Sequence, residues 1–146
     1  MKGDRFKCPV DQEYIVALGR ATYTFAYLEW QVVWCMEKLR PGFIYSLKTK
    51  SKKLTAGMIA KKFKEAVRCM EKSDEREQLA FLANKFLGLV EVRNNIMHGK
   101  PCTSSRNQQR LSGREVIEVC DLEDAADEFI ECNSQLNKLY YEFLDK

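Results

Sequence analysis

The chain has three prolines, at positions 9, 41 and 101. Each falls where a three–four apolar period begins or ends. Proline cannot continue a helical hydrogen-bond ladder, so these residues divide the sequence into long helical stretches. The first helix is expected from near Asp11, an N-cap candidate, to about Arg40. Its stripe reads Ile15, Leu18, Thr22, Phe25, Glu29, Val32, Met36 and Leu39, with Glu29 an acid among apolar positions. Beside it runs a second stripe, Tyr23, Tyr27, Trp30 and Trp34. A helix apolar over so much of its circumference is expected to be enclosed by its own bundle and by a partner subunit. The other use of an aromatic stripe is to stack nucleobases.

Arg40-Pro41-Gly42 ends that helix, and the basic, aperiodic segment 43–54 reads as a connecting loop. A second helix is expected from about Thr55 to Lys72, with Ile59, Phe63, Val67 and Met70 inward and Lys61, Lys62 and Lys64 outward. Ser73 starts a third, with Asp74, Glu75 and Glu77 in the first turn, where acids suit the helix dipole. Its stripe is Leu79, Leu82, Phe86, Leu89, Arg93 and Ile96, and Gly99 and Pro101 stop it. Residues 99–120 are the least helical. Ser104, Ser105, Asn107, Ser112 and Gly113 favour turns while 114–120 alternates, which fits either a small hairpin or an extended loop. Asp121 and Asp124 mark the start of a last helix reaching about Leu144, burying Leu122, Ala126, Phe129, Asn133 or Leu136, Tyr140 and Phe143. The pattern predicts a single all-α domain over 1–146, an antiparallel bundle of four main helices with a short loop or hairpin excursion before the last.

No apolar run approaches the ~20 residues of a membrane span. The N-terminus lacks the apolar centre of a signal peptide, so a cytoplasmic protein without membrane contact is expected. The six cysteines (8, 35, 69, 102, 120 and 132) are widely spaced, form no CxxC pair and stand beside a single histidine. They read as reduced thiols, with no metal set and no cofactor. The net charge of +3 conceals an asymmetry. Lys38 to Arg68 holds ten basic residues against Glu65, whereas Glu115 to Lys146 holds ten acids against Lys138 and Lys146. Such blocks suit a polyanion partner, complementarity between copies, or simply a solvated surface.

The chemistry concentrates in FLGLVEVRNNIMHGKP, residues 86–101. Arg93 occupies a core-stripe position, Asn94 and Asn95 follow it, and His98 is the only histidine. An unpaired buried charge costs several kcal/mol, so Glu29 and Arg93 are expected to meet. In an alternating bundle their axial offset is under ~10 Å. A buried salt bridge accounts for both without any activity. For His98 the plain reading is a favourable helix-end cation. Five residues place it about 140° round from Arg93, so one ideal helix does not bring the two together. A frayed last turn or a symmetric dimer would.

Arg93-Asn94-Asn95-Ile96-Met97-His98 resembles the R-N-x-x-x-H motif of the HEPN superfamily, helical-bundle domains that include many metal-independent ribonucleases. The resemblance extends to the all-helical plan and to the motif's place near the end of a long helix. It implies a composite cleft at a homodimer interface, where a ribose 2′-hydroxyl of RNA attacks its adjacent phosphate without a metal. His98 would exchange the proton, Arg93 would stabilise charge on phosphorus, and Asn94 would position the histidine or a phosphate oxygen. Glu29 matches by position a glutamate that joins the pair in some members. Asn95 and Lys100 would contact substrate. Members held by a nucleotidyltransferase antitoxin often carry tyrosine two residues after the histidine, where this chain has Lys100. A toxin or phage-defence effector, with an antitoxin protein as possible partner, is one expectation. The other is a non-catalytic helical module that binds a nucleotide, nucleic acid or protein.

Overall fold

A computed structural model of the chain describes residues 9–49 and 53–146, leaving Cys8, Lys50 and Lys52 outside the described residues. Helix α1, Gln12–Leu39, starts where the Asp11 carboxylate accepts the Tyr14 N–H at 2.9 Å. It stops at Arg40, and the turn beyond it uses Gly42 at φ +93°, a conformation that disfavours any side chain. The segment read as a loop contains a short helix, α2 (Phe43–Thr49), against whose start the Glu37 carboxylate accepts the Gly42 and Ile44 N–H groups. Seven residues are too few to display a period, which is why the pattern missed it. Helix α3 (Ala56–Arg68) is capped by Thr55 and α4 (Asp74–Met97) by Ser73, whose hydroxyls accept the Met58 and Arg76 N–H groups. Lys61, Lys62 and Lys64 are exposed, as their positions in the pattern require.

The excursion after α4 is a three-stranded antiparallel sheet of β1 (Lys100–Thr103), β2 (Gln109–Ser112) and β3 (Val116–Ile117). Asn107, at φ 59°, turns the chain between β1 and β2, a left-handed position that asparagine tolerates. Helix α5 is Val119–Leu139 and begins before Asp121, whose carboxylate instead accepts the Glu118 N–H at 2.8 Å. Its last residues, Tyr140–Leu144, form a π-helical turn. The described residues contain no helix long and apolar enough to cross a membrane.

The chain is mostly helical, but its helices do not alternate up and down. Tyr14 meets Ile117, Phe25 meets Phe129, and Lys38 meets Tyr140, so α1 and α5 run the same way. The start of α4 lies beside the end of α5, and its end beside Ile117, so α4 opposes both. Arg76 donates to the Val67 and Arg68 carbonyls, which makes α3 and α4 an antiparallel pair. The returning α2 is what lets α3 start again in the direction of α1. The core stripe of α1 keeps the expected Phe25, Val32 and Met36, but elsewhere it lies one residue earlier, at Tyr14, Ala17, Ala21, Leu28 and Cys35. Small Ala17 and Ala21 let α5 approach closely, and Ile15 and Thr22 are left exposed.

The sheet covers the end of the bundle where α1 and α5 begin and α4 finishes. The Tyr14 hydroxyl donates to the Ile117 carbonyl at 2.8 Å and accepts the Leu111 N–H at 3.0 Å. Over its ring lies the guanidinium of Arg110, 4.6 Å from the centroid. Arg110, only 6% exposed, bonds Asp11 at 2.6 Å and Glu118 at 3.2 Å, the N-caps of α1 and α5. One cation therefore joins two carboxylates that face positive helix termini. Its hydrogen bond is the main reason the Asp11 carboxyl titrates below its ordinary 3.8. A carboxyl with a depressed folded pKa adds stability above its unfolded value and loses it as pH falls through the folded one. Arg110→Met should therefore lower the melting temperature at pH 7, with the deficit shrinking below about pH 4; thermal melts at the two pH values measure this.

Candidate functional site

Arg93 reaches from the last third of α4 toward the core crossing. Its guanidinium lies 5.2 Å from the centroid of Phe25, and its Nη1 donates to Asn94 Oδ1 at 2.9 Å. Phe25 in turn stacks on Phe86 at 6.0 Å and meets the edge of Phe129 at 5.1 Å. The arginine thus lies half-buried at the rim of the core, with an aromatic ring behind its guanidinium. Glu29, also half-buried, occupies the adjoining edge of α1. Burial raises its carboxyl pKa, and the nearby Arg93 charge opposes that rise. The two are electrostatic neighbours, yet no ion pair within 4.0 Å joins them. The expected close contact is therefore a looser one, because both residues sit on stripe edges rather than centres.

His98 is the C-cap of α4, with φ −98° and ψ 6°, and its side chain is exposed. Its N–H still donates to the Asn94 carbonyl at 2.9 Å, so the helix is regular up to the histidine. A frayed last turn does not swing it toward Arg93. The regular backbone leaves the two residues about 140° apart round α4, on different faces of the helix. Beside this end of α4, the exposed Met97 thioether meets the Thr22 hydroxyl at 3.8 Å. Ile15, two helical turns back on the same face of α1, is 45% exposed and extends this open apolar edge.

Asn95 has a structural use that the sequence reading assigned to substrate. Its Oδ1 accepts the Arg114 N–H at 2.9 Å. A Cβ on the adjacent Gly113 would lie 2.2 Å from that oxygen and 2.8 Å from the Asn95 carbonyl oxygen. The asparagine thereby clamps the β2–β3 turn onto α4. Gly99 is likewise needed for space, since a Cβ there would approach Leu111 Cβ to 3.1 Å. Lys100 is exposed at the start of β1, opposite Ser112. The sequence reading missed Arg110 and Tyr14, whose signal was faint: an arginine in a strand of alternating pattern and a tyrosine one turn inside a helix. Tyr23, Tyr27, Trp30 and Trp34 are all exposed, Tyr23 at 72%.

Gly113→Ala should destabilise the fold by about 1–3 kcal/mol, since either the turn or the Asn95 amide must move. Asn95→Ala should cost about 1 kcal/mol through the orphaned Arg114 N–H. Chemical denaturation measures both. Glu29→Gln should raise the denaturation midpoint at pH 7 and leave it unchanged near pH 4. An acid whose folded pKa is raised loses stability as pH rises through that value, and the amide has no such loss. Comparison with protein-family models, curated proteins and solved structures finds no match to this chain.

Proposed function

We propose that the chain is a metal-independent endoribonuclease of the HEPN type, working as a homodimer with a composite site. The observation that carries this reading is the placement of Arg93, Asn94 and His98 at the exposed end of α4. The arginine is oriented by Asn94 and backed by Phe25, and the histidine side chain is exposed. In the reaction the 2′-hydroxyl of a ribose loses its proton to a His98 imidazole and attacks the adjacent phosphorus. The P–O5′ bond breaks, the leaving oxygen takes up a proton, and the products are a 2′,3′-cyclic phosphate and a 5′-hydroxyl end. With two copies present, one imidazole serves as base and the other as acid. The Arg93 fork neutralises the charge that builds on the phosphoryl oxygens. Glu29 acts on the arginine only as a nearby charge, without a direct bond. The apolar edge of Ile15, Thr22 and Met97 is where the second copy packs, which brings the two α4 ends into one cleft.

The exposed lysines of α3, with Lys48 and Lys53, suit the polyanionic backbone of RNA. An antitoxin protein that covers the cleft fits the same plan. The second reading is a non-catalytic module that binds nucleic acid or a protein partner, and the exposed aromatic row of α1 favours it.

The purified protein, incubated with RNA in EDTA, should yield cyclic-phosphate ends. His98→Ala and Arg93→Ala should each lower the rate by about 10²-fold or more, with Glu29→Gln affected less. Residual activity equal to wild type in both alanine variants would assign the cleavage to a contaminant. Sedimentation should show a dimer, and a monomer at all concentrations would remove the shared cleft.

A further inference from the structure

The second half of α1 and the end of α5 enclose a pocket of about 220 Å³, lined by Gln31, Trp34, Asn137, Tyr140 and Tyr141. Two of its walls are exposed aromatic rings, Trp34 at 41% and Tyr141 at 61%. Each is braced by a perpendicular neighbour. Trp30 meets Trp34 at 6.0 Å and 82°, and Tyr140 meets Tyr141 at 5.0 Å and 85°. The tyrosines project from the π-helical turn Tyr140–Leu144, a rare geometry that is frequent at functional sites when it interrupts a helix. Lys38 holds that turn against α1 by its ion pair with Asp145, and its Nζ lies 5.7 Å from the Tyr140 centroid.

Its polar groups are two carboxamides. The Gln31 Nε2 makes only a long contact, 3.9 Å, to the Cys35 thiol, and the Asn137 side chain has no hydrogen bond among the described residues. Each carboxamide offers a donor pair and an acceptor in one plane, the complement of a heterocycle's edge. Rings to stack against, with solvent-facing amides beside them, suit a flat ligand carrying donors and acceptors on its rim. An aliphatic ligand would fill the space and leave both amides unpaired.

We propose that this pocket takes one unpaired nucleobase of a single-stranded RNA, stacked against Trp34 and Tyr141 and read at its edge by Gln31 and Asn137. The inference rests on the RNA reading above and extends it to a second contact on the strand. Thr22, which touches Met97 next to His98, precedes Trp34 by 12 residues on α1. The pocket therefore lies ~18 Å along the helix from the cleavage end. Exposed Tyr23, Tyr27 and Trp30 line the way between them. A base held so far from the scissile phosphate adds binding energy that is uniform along the reaction, so it lowers KM without raising kcat.

The test is binding of a fluorescein-labelled 2′-O-methyl oligoadenylate, which lacks the attacking hydroxyl, followed by anisotropy. Trp34→Ala and Tyr141→Ala should each weaken the dissociation constant about tenfold. Trp34→Phe should restore it, and an abasic oligomer should bind all forms equally weakly. In cleavage, Trp34→Ala should raise KM by a similar factor with kcat retained. Unchanged affinity in Tyr141→Ala, whose ring is too exposed to be needed for folding, would overturn the proposal. So would conversion of a dimer to a monomer by Trp34→Ala, because a second copy would then be the pocket's occupant. Adenosine monophosphate supplies the independent readout. Quenching of tryptophan emission in wild type but not in Tyr141→Ala, without RNA cleavage, keeps the pocket and overturns the ribonuclease reading. Cleavage with unaltered oligomer binding in the variants does the reverse.

Discussion

Phe25 is the point on which the rest of the molecule depends. Its ring is 3% exposed, lies at the crossing of α1, α4 and α5, and touches Phe86, Phe129 and the guanidinium of Arg93. A buried aromatic of this size removes a large apolar area from water and fixes the spacing of the helices it joins. The face it turns to Arg93 is also what keeps a cation at the rim of an apolar core without an ion pair within 4.0 Å to Glu29. The arginine is stacked rather than neutralised, so its fork is left for an anion from outside. A tight Glu29–Arg93 bridge would have stabilised the pair and spent that capacity.

The end of the bundle is organised by a second cation used in the opposite way. Arg110 is buried between two carboxylates and over Tyr14, and its donors are consumed within the fold. The sheet that carries it also presses Gly113 and Arg114 onto Asn95, immediately before the histidine turn. The end of α4 is thereby held from one side by strand contacts and from the other by Thr22 on α1. Two arginines of the same chemistry thus divide into one that locks the scaffold and one that remains available, and the difference lies in the carboxylates each can reach.

Much of this was legible in the sequence, for identifiable reasons. Asp11, Thr55 and Ser73 were readable as caps because a short polar side chain before a three–four apolar run has few other uses. The mostly helical character followed from periodicity alone. The direction of the helices did not, since it turned on α2, whose seven residues carry no detectable period. The one-residue shift of the α1 stripe was hidden by volume. Ala17 and Ala21 weigh little in a hydrophobic pattern, yet they allow the closest packing, while bulkier Ile15 is left outside. Asn95 and Gly113 are separated by seventeen residues, the last fourteen of them in the segment that reads as hairpin or loop, so their clamp became visible only in three dimensions.

The exposed surface of α1 gains meaning from the angles at which its side chains leave the helix. Ile15 and Thr22 point along the edge shared with Met97, while Tyr23, Tyr27, Trp30 and Trp34 lie opposite the core stripe. The two edges lie roughly 100° apart round the helix, so the open edge borders the aromatic row. The long first helix is then apolar on three sides: one makes the core, one is the open edge beside Met97, and one carries the aromatic row. That arrangement explains why so aromatic a helix can leave Tyr23 72% exposed without being a packing defect.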